Sequence, residues 1–252
     1  MNDLLAIETS GKFGSVAIAS RTQDSSQAIV SVDLPKTIGS AQSLASCIEQ
    51  IAVTHDVPLS ELGCIALVNG PGSFTGLRVG VATAKALAYA LRVPVVALDT
   101  LDVIHLQGAS SGLLAQRTPP FEHIHALLDA YRGQVFVQSR SVRSPLANTA
   151  VLDIDDFLRE CRKADDSPKV HALIGPGCQR VRRYCERELD DEELKAWCEQ
   201  LPCFESADFE PHAVFVAKLG LESWNQGRQF DPFLLLPNYF RGSAAEEKAK
   251  AL

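Results

Sequence analysis

The chain has 252 residues, 46% of them hydrophobic and 22% charged, with a formal net charge of −7. That length accommodates two ordinary domains, and the composition is that of a globular chain rather than a disordered one. An acidic balance argues against a surface that grips nucleic acid through phosphates, leaving room only for a local basic patch. The start, Met1 to Glu8, has no basic n-region, and no apolar run approaches the roughly 18 residues that would span a bilayer. The cysteines (Cys47, Cys64, Cys161, Cys178, Cys185, Cys198 and Cys203) contain no Cys-x-x-Cys pair and read as reduced thiols, mostly core filler, in a cytoplasmic protein.

In chain order, Leu4 to Glu8 is a short apolar run stopped by Thr9-Ser10-Gly11, the pattern of a buried strand entering a turn. Gly14 to Ala19 and Ala28 to Leu34 continue as strands rich in β-branched residues. A helix follows from Ser40 to about His55, with Leu44, Ile48 and Ile51 at helical spacing. Cys64 to Val68 reads as a strand, Thr75 to Leu91 as a long helix and Val93 to Leu98 as a further strand. The order βββαβαβ fits an α/β lobe whose strands enter antiparallel and then turn parallel. The Gly-, Ser- and Pro-rich stretch from Gln107 to Pro120 is the expected boundary. Beyond it come strands at His123 to Asp129, Gln134 to Arg140 and Val170 to Ile174, with helices at Ile154 to Lys163 and Gln179 to Leu189. A last helix runs from Pro211 to Asn225, and Gly227 is placed to end it. The expected division is a first lobe at 1–108 carrying the long helix at Thr75 to Leu91, a second lobe at 109–241 whose last helix can pack back on the first, and a disordered tail at 242–252.

The stretch Asn69-Gly70-Pro71-Gly72-Ser73-Phe74-Thr75-Gly76-Leu77-Arg78-Val79-Gly80 lies between a strand and a helix, where α/β proteins place phosphate loops. No Lys-Ser or Lys-Thr follows its glycines, so it is not a Walker loop, and Thr75 breaks the dinucleotide fingerprint. A tight turn capped by Ser73 or Thr75 is the plainer reading. In the helix that follows, Gly76, Gly80, Ala84 and Ala88 recur every four residues along one face. A glycine inside a helix costs roughly 1 kcal/mol against alanine, so two of them require a packing reason. Spacing alone leaves two reasons level: close packing on the lobe's own sheet, or pairing with another protein.

Leu5-Ala-Ile-Glu-Thr-Ser10 and Gly70-Pro-Gly-Ser-Phe-Thr-Gly-Leu-Arg-Val-Gly80 with Ala84-Lys-Ala-Leu-Ala88 resemble the TsaB (YeaZ) family. Val96-Ala-Leu-Asp-Thr-Leu101, Asp129-Ala130 with Gly133-Gln-Val-Phe136, and Pro237-Asn-Tyr-Phe-Arg241 support the resemblance along the chain. It implies an α/β fold of two ribonuclease-H-like lobes in the actin/Hsp70/sugar-kinase (ASKHA) superfamily. It also implies a non-catalytic, cytoplasmic dimerisation subunit of tRNA N6-threonylcarbamoyladenosine synthesis with no cofactor, which binds and activates a TsaD-like transferase. A TsaE-like ATPase is reached through the complex, tRNA is met indirectly, and the chain is a homodimer when alone. The implied pairing surface is Phe74, Thr75, Gly76, Arg78, Val79, Gly80, Thr83, Ala84, Leu87 and Ala88, which tips the small-residue face towards an interface. Where many family members carry a histidine this chain has Ser40-Ala41-Gln42, and 163–209 matches little of the family.

Glu8 and Asp129 are candidate acids of a cleft, placed as in nucleotide-binding relatives; strand ends also carry acids merely to leave a sheet. No two of the histidines (His55, His105, His123, His125, His171 and His212) are four apart, so the His-x-x-x-His pair of the catalytic paralogue is missing. His123 and His125 share a strand face as half of a zinc site, but no partner residues are evident and no metal is expected. Arg180, Arg182, Arg183 and Arg187 form the basic cluster, diluted by Glu186 and Glu188, and read as a solvated helix rather than a tRNA contact. The rival functions are an ATPase or sugar kinase of the same fold and a metal-dependent glycoprotease.

Overall fold

The first apolar run becomes β1 (Asp3–Glu8), which pairs antiparallel with β2 (Ser15–Ala19); β2 in turn pairs antiparallel with β3 (Ile29–Asp33). These residues belong to a computed structural model that describes residues 3–20, 28–35, 40–112, 114, 116–118, 120–142, 144, 148–205 and 209–240. Helix α1 (Ser40–Thr54) leads to β4 (Leu62–Gly70), parallel to β1, and α2 (Phe74–Leu91) leads to β5 (Val95–Asp99), parallel to β4. The sheet order is β3-β2-β1-β4-β5. A strand running parallel to its predecessor needs a crossover, and α2 supplies the one between β4 and β5.

The chain divides into two units, Met1–Val103 with Pro211–Leu252, and Ile104–Glu210. The split falls inside α3 (Thr100–Ser110), and α7 (Ala213–Asn225) belongs with the first sheet. This differs from limits at 1–108 and 109–241. The reason is the face of α7: Ala213, Val216, Ala217 and Leu221 are buried among Leu4, Ala6, Ala66 and Val68 of the first sheet. Period-two alternation sends Leu5, Ile7, Ile65 and Leu67 to the other face, under α1 and α2. Small strand residues on the α7 side permit close approach; a Cβ on Gly220 would stand 2.5 Å from Ala66 Cβ.

In the second unit β6 (His123–Asp129) pairs antiparallel with β7 (Gln134–Ser141), β7 with β8 (Ala150–Asp153), and β6 runs parallel to β9 (His171–Ile174). With β10 (Cys203–Phe204) the order is β10-β9-β6-β7-β8, the first unit's pattern read from the other edge. Helices α4 (Ile154–Ala164), α5 (Gly177–Arg187) and α6 (Glu192–Cys198) cover Leu127, Val135, Val137 and Leu173. No helix among the described residues is long and apolar enough to cross a membrane. The tail expected to be disordered, 242–252, and Arg241 lie outside the described residues.

Candidate functional site

The stretches that carry the sequence resemblance meet in the first unit. Ser73 caps α2, its hydroxyl accepting from Gly76 N at 3.3 Å, and the Ser73 N–H donates to the Ser10 carbonyl at 2.8 Å. Thr9 Oγ1 donates to the Gly76 carbonyl at 2.8 Å. A Cβ at Gly76 would collide with the Thr9 carbonyl oxygen and lie 3.1 Å from its carbon. At Gly80 a Cβ would fall on Thr9 Oγ1, 3.8 Å from Ile7 Cγ2. Gly76, Gly80, Ala84 and Ala88 are all buried.

The small-residue face therefore seats α2 on its own sheet, and the assignment of these four residues to a partner interface is corrected. Their smallness lets the helix approach the end of β1 closely, and no surface remains on that side for a second protein. The other six residues are placed differently: Thr75 and Arg78 are exposed, while Phe74, Val79, Thr83 and Leu87 are half-buried. Two hundred degrees round the helix from Gly80, Ala84 and Ala88 stand Ala82, Ala86 and Ala90, all exposed. Sequence reasoning missed this outward row, although its four-residue spacing is as regular as that of the inner one.

The chain after α7 borders this helix. Arg78 lies 3.8 Å over the Phe74 ring and its Nε donates to the Tyr239 hydroxyl at 3.0 Å, with the two rings 4.9 Å apart. Lys85 Nζ donates to the carbonyls of Phe233 and Leu235 at 3.2 and 3.1 Å, and Asn238 N to the Asn69 carbonyl at 2.7 Å. Tyr89 meets Phe233 edge-on at 5.6 Å, and both rings stay about two-thirds exposed, at 68% and 67%.

Each candidate acid serves the turn after its strand. Glu8 is buried, and its Oε1 accepts from the Ser10 N–H and hydroxyl at 2.6 Å each and from Gly11 N at 3.1 Å. Asp129 Oδ1 accepts from Tyr131 N at 2.7 Å. The acids end β1 and β6, the corresponding strands of the two sheets.

Of the arginine cluster, Arg180 pairs with Glu188 at 2.6 Å and Arg182 pairs with Glu205. All cysteines are free thiols, buried except the half-buried Cys203. Burial pushes Cys178 up, whereas a hydrogen bond from Cys178, aided by Arg182, lowers Cys203. His123 and His125 do not act as a pair: His125 is buried beside His171 and Cys161, while His123 groups with Glu122 and Asp165.

Two units, each a five-stranded sheet in which three antiparallel strands precede two parallel ones, define the ribonuclease-H-like class of the actin, Hsp70 and sugar-kinase proteins. The model of the TsaD family, tRNA N6-adenosine threonylcarbamoyltransferase, matches residues 39–171, more than half of the chain. The tRNA threonylcarbamoyladenosine biosynthesis protein TsaB of Bacillus subtilis is 28% identical over 198 residues, covering 77% of this chain and 76% of that one. A Pseudomonas aeruginosa structure described as an uncharacterized protein with similarity to peptidase YeaZ superposes with a TM-score of 0.71 at 26% identity, covering 96% of this chain and all of that one. YeaZ from Pseudomonas aeruginosa gives a TM-score of 0.68 at 24% identity over 95% of this chain and all of that one. The chain belongs to the TsaB (YeaZ) family, within the TsaD-type domain family.

Proposed function

We propose that the chain is a non-catalytic accessory subunit of tRNA N6-threonylcarbamoyladenosine synthesis, which binds and activates a TsaD-like threonylcarbamoyltransferase through the outward face of α2. The observation that carries this reading is the exposed row Ala82, Ala86 and Ala90, bordered by Phe74, Arg78 and Tyr89. Small side chains let a partner helix come close, and aromatic and arginine residues are those that dominate interface energies. The same face serves the homodimer when the transferase is absent, and a TsaE-like ATPase and tRNA are met through the transferase.

A non-catalytic role is supported by what the candidate acids do. Glu8 holds its own turn through three donors, and Asp129 closes the turn at Tyr131. The glycine-rich turn spends the Ser73 and Gly76 N–H groups on Ser10 and Ser73 rather than on a phosphate. The test is to mix the purified chain with the TsaD-like protein of the same organism. The expected result is a stable complex with raised threonylcarbamoyl transfer; a transferase equally active alone, with no complex formed, would overturn the proposal.

A further inference from the structure

The second unit gathers side chains that the pairing function leaves unused. β9 lies parallel to β6 with His171 opposite His123, and α4 lays Cys161 on the same side of the sheet. His125 Nε2 thereby stands 3.0 Å from His171 Nδ1 and 3.7 Å from Cys161 Sγ. One ligand atom from each of the three lies within 4.8 Å of the others, and all three residues are buried. Phe157 meets the His125 ring edge-on at 5.4 Å and Trp197 the His171 ring at 5.6 Å, so carbon walls surround the polar atoms.

The outer ring nitrogens are engaged. His171 Nε2 is 3.1 Å from the Asp165 carbonyl oxygen, which can only accept, so His171 carries its proton there and turns a bare Nδ1 towards His125. His125 Nδ1 is 2.7 Å from Ser139 Oγ, a hydroxyl able to donate or accept. Such outer bonds are what orient imidazoles that ligate metals.

We propose that His125, His171 and Cys161 form a binding site for a thiophilic d10 cation, Zn2+ or Cu+. Bonds of about 2.0–2.1 Å to nitrogen and about 2.3 Å to sulfur space tetrahedral ligands roughly 3.3–3.6 Å apart. The two separations from His125, 3.0 and 3.7 Å, lie within a few tenths of an ångström of that spacing, and the third, between Cys161 and His171, is within 4.8 Å and closes as the ion draws the thiolate in. Thiolate and imidazole select these ions over Mg2+ or Ca2+, which require oxygen ligands. On binding, the Cys161 thiol loses its proton to solvent. The His125 proton moves from Nε2 to Nδ1, where Ser139 Oγ accepts it, so one proton leaves per ion. With Cu+ the group is neutral. With Zn2+ it keeps one positive charge, beside Glu122 and Asp165, which cluster with His123; the His123 ring stacks on His171 at 4.7 Å. The site departs from the sequence expectation of no metal because its members are 36 and 46 residues apart in the chain.

The test titrates the chelator-treated, reduced full chain with Zn2+, with Cu+ and with Mg2+ as control, then reads the retained ion by X-ray absorption. The expected result is one equivalent of Zn2+ or Cu+ retained through desalting, with one sulfur and two imidazole nitrogens in the shell. Cys161→Ala should weaken binding by more than the roughly 10- to 100-fold that loss of an outer partner causes. Retention no better than that of Mg2+, a shell with no sulfur or with several, or undiminished binding by Cys161→Ala overturns the proposal. Several sulfurs would point instead to Cys178, Cys185, Cys198 and Cys203. Should Cys161→Ala fail to fold, the shell of the unmodified chain decides by itself.

Discussion

Replacing Gly80 separates the two faces of α2. A Cβ there falls on Thr9 Oγ1, 3.6 Å from Thr9 Cβ, so in Gly80→Ala the Thr9 side chain must turn and give up its bond to the Gly76 carbonyl. That lost bond costs about 1 kcal/mol. Overpacking against β1 adds about 1–3 kcal/mol, and alanine's better helix propensity returns about 1 kcal/mol. The net loss is about 2 kcal/mol, which for a chain of this size lowers the melting temperature by about 4–8 °C. Gly80→Arg drives a longer, charged side chain towards Ile7, itself fully buried. The strain and the unpaired buried charge together approach the whole stability of a domain, about 5–15 kcal/mol, so this variant should not fold. Calorimetry and urea denaturation of both variants read the effect. A Gly80→Ala protein that melts higher than the parent would show that helix propensity governs an open face, and would refute the packing described here.

Burial, aided by the charge of Arg140, lowers His105 from 6.5 to about 4, so it folds as a neutral ring whose Nε2–H donates to the Gln138 carbonyl at 2.9 Å. The unfolded chain takes up this proton first as pH falls, so its stabilisation is complete above about pH 6.5 and is lost down to pH 4, by up to about 3 kcal/mol. In urea melts at several pH values His105→Gln should lose correspondingly less stability over that window, and an unchanged pH dependence would contradict the assignment. Calorimetry should find ATP bound no tighter than millimolar by the isolated chain, because the glycine-rich turn lacks the phosphate-binding lysine and its Ser73 and Gly76 N–H groups are engaged by Ser10 and Ser73; micromolar binding would favour the kinase reading.

Much of the sheet was legible because buried strands announce themselves locally. The runs at Leu4, Gly14 and His123 each became a strand within a residue or two of the expected limits. Short elements were missed where the local signal is weak. The two residues of β10 and the four of β8 carry too few positions to show a period, and α6 spans only seven residues. Helix α3 was lost to the Gly- and Ser-rich composition at its end, although Asp99 Oδ1 accepts from Leu101 N at 2.8 Å at its start.

The orientation of α2 was hidden for a different reason. Small residues recur every four positions on both sides of it, and periodicity states that a smooth face exists without saying what covers it. The covering residue, Thr9, is 67 positions away from Gly76 in the chain. Cys161, His125 and His171 were likewise unreadable as a group, since their meeting depends on β9 pairing parallel to β6.

The most direct test of the pairing account is the affinity of Ala86→Arg for the TsaD-like transferase. Ala86 is exposed in the middle of the outward row, where the substitution should leave the isolated protein's stability within about 0.5 kcal/mol of the parent. If that row meets the partner, a long unpaired charge costs several kcal/mol at the interface, about a 100-fold loss of affinity or more. The account predicts an unaltered melting transition together with loss of the complex in sedimentation or calorimetric titration. A folded Ala86→Arg protein that binds the transferase as tightly as the parent would contradict it.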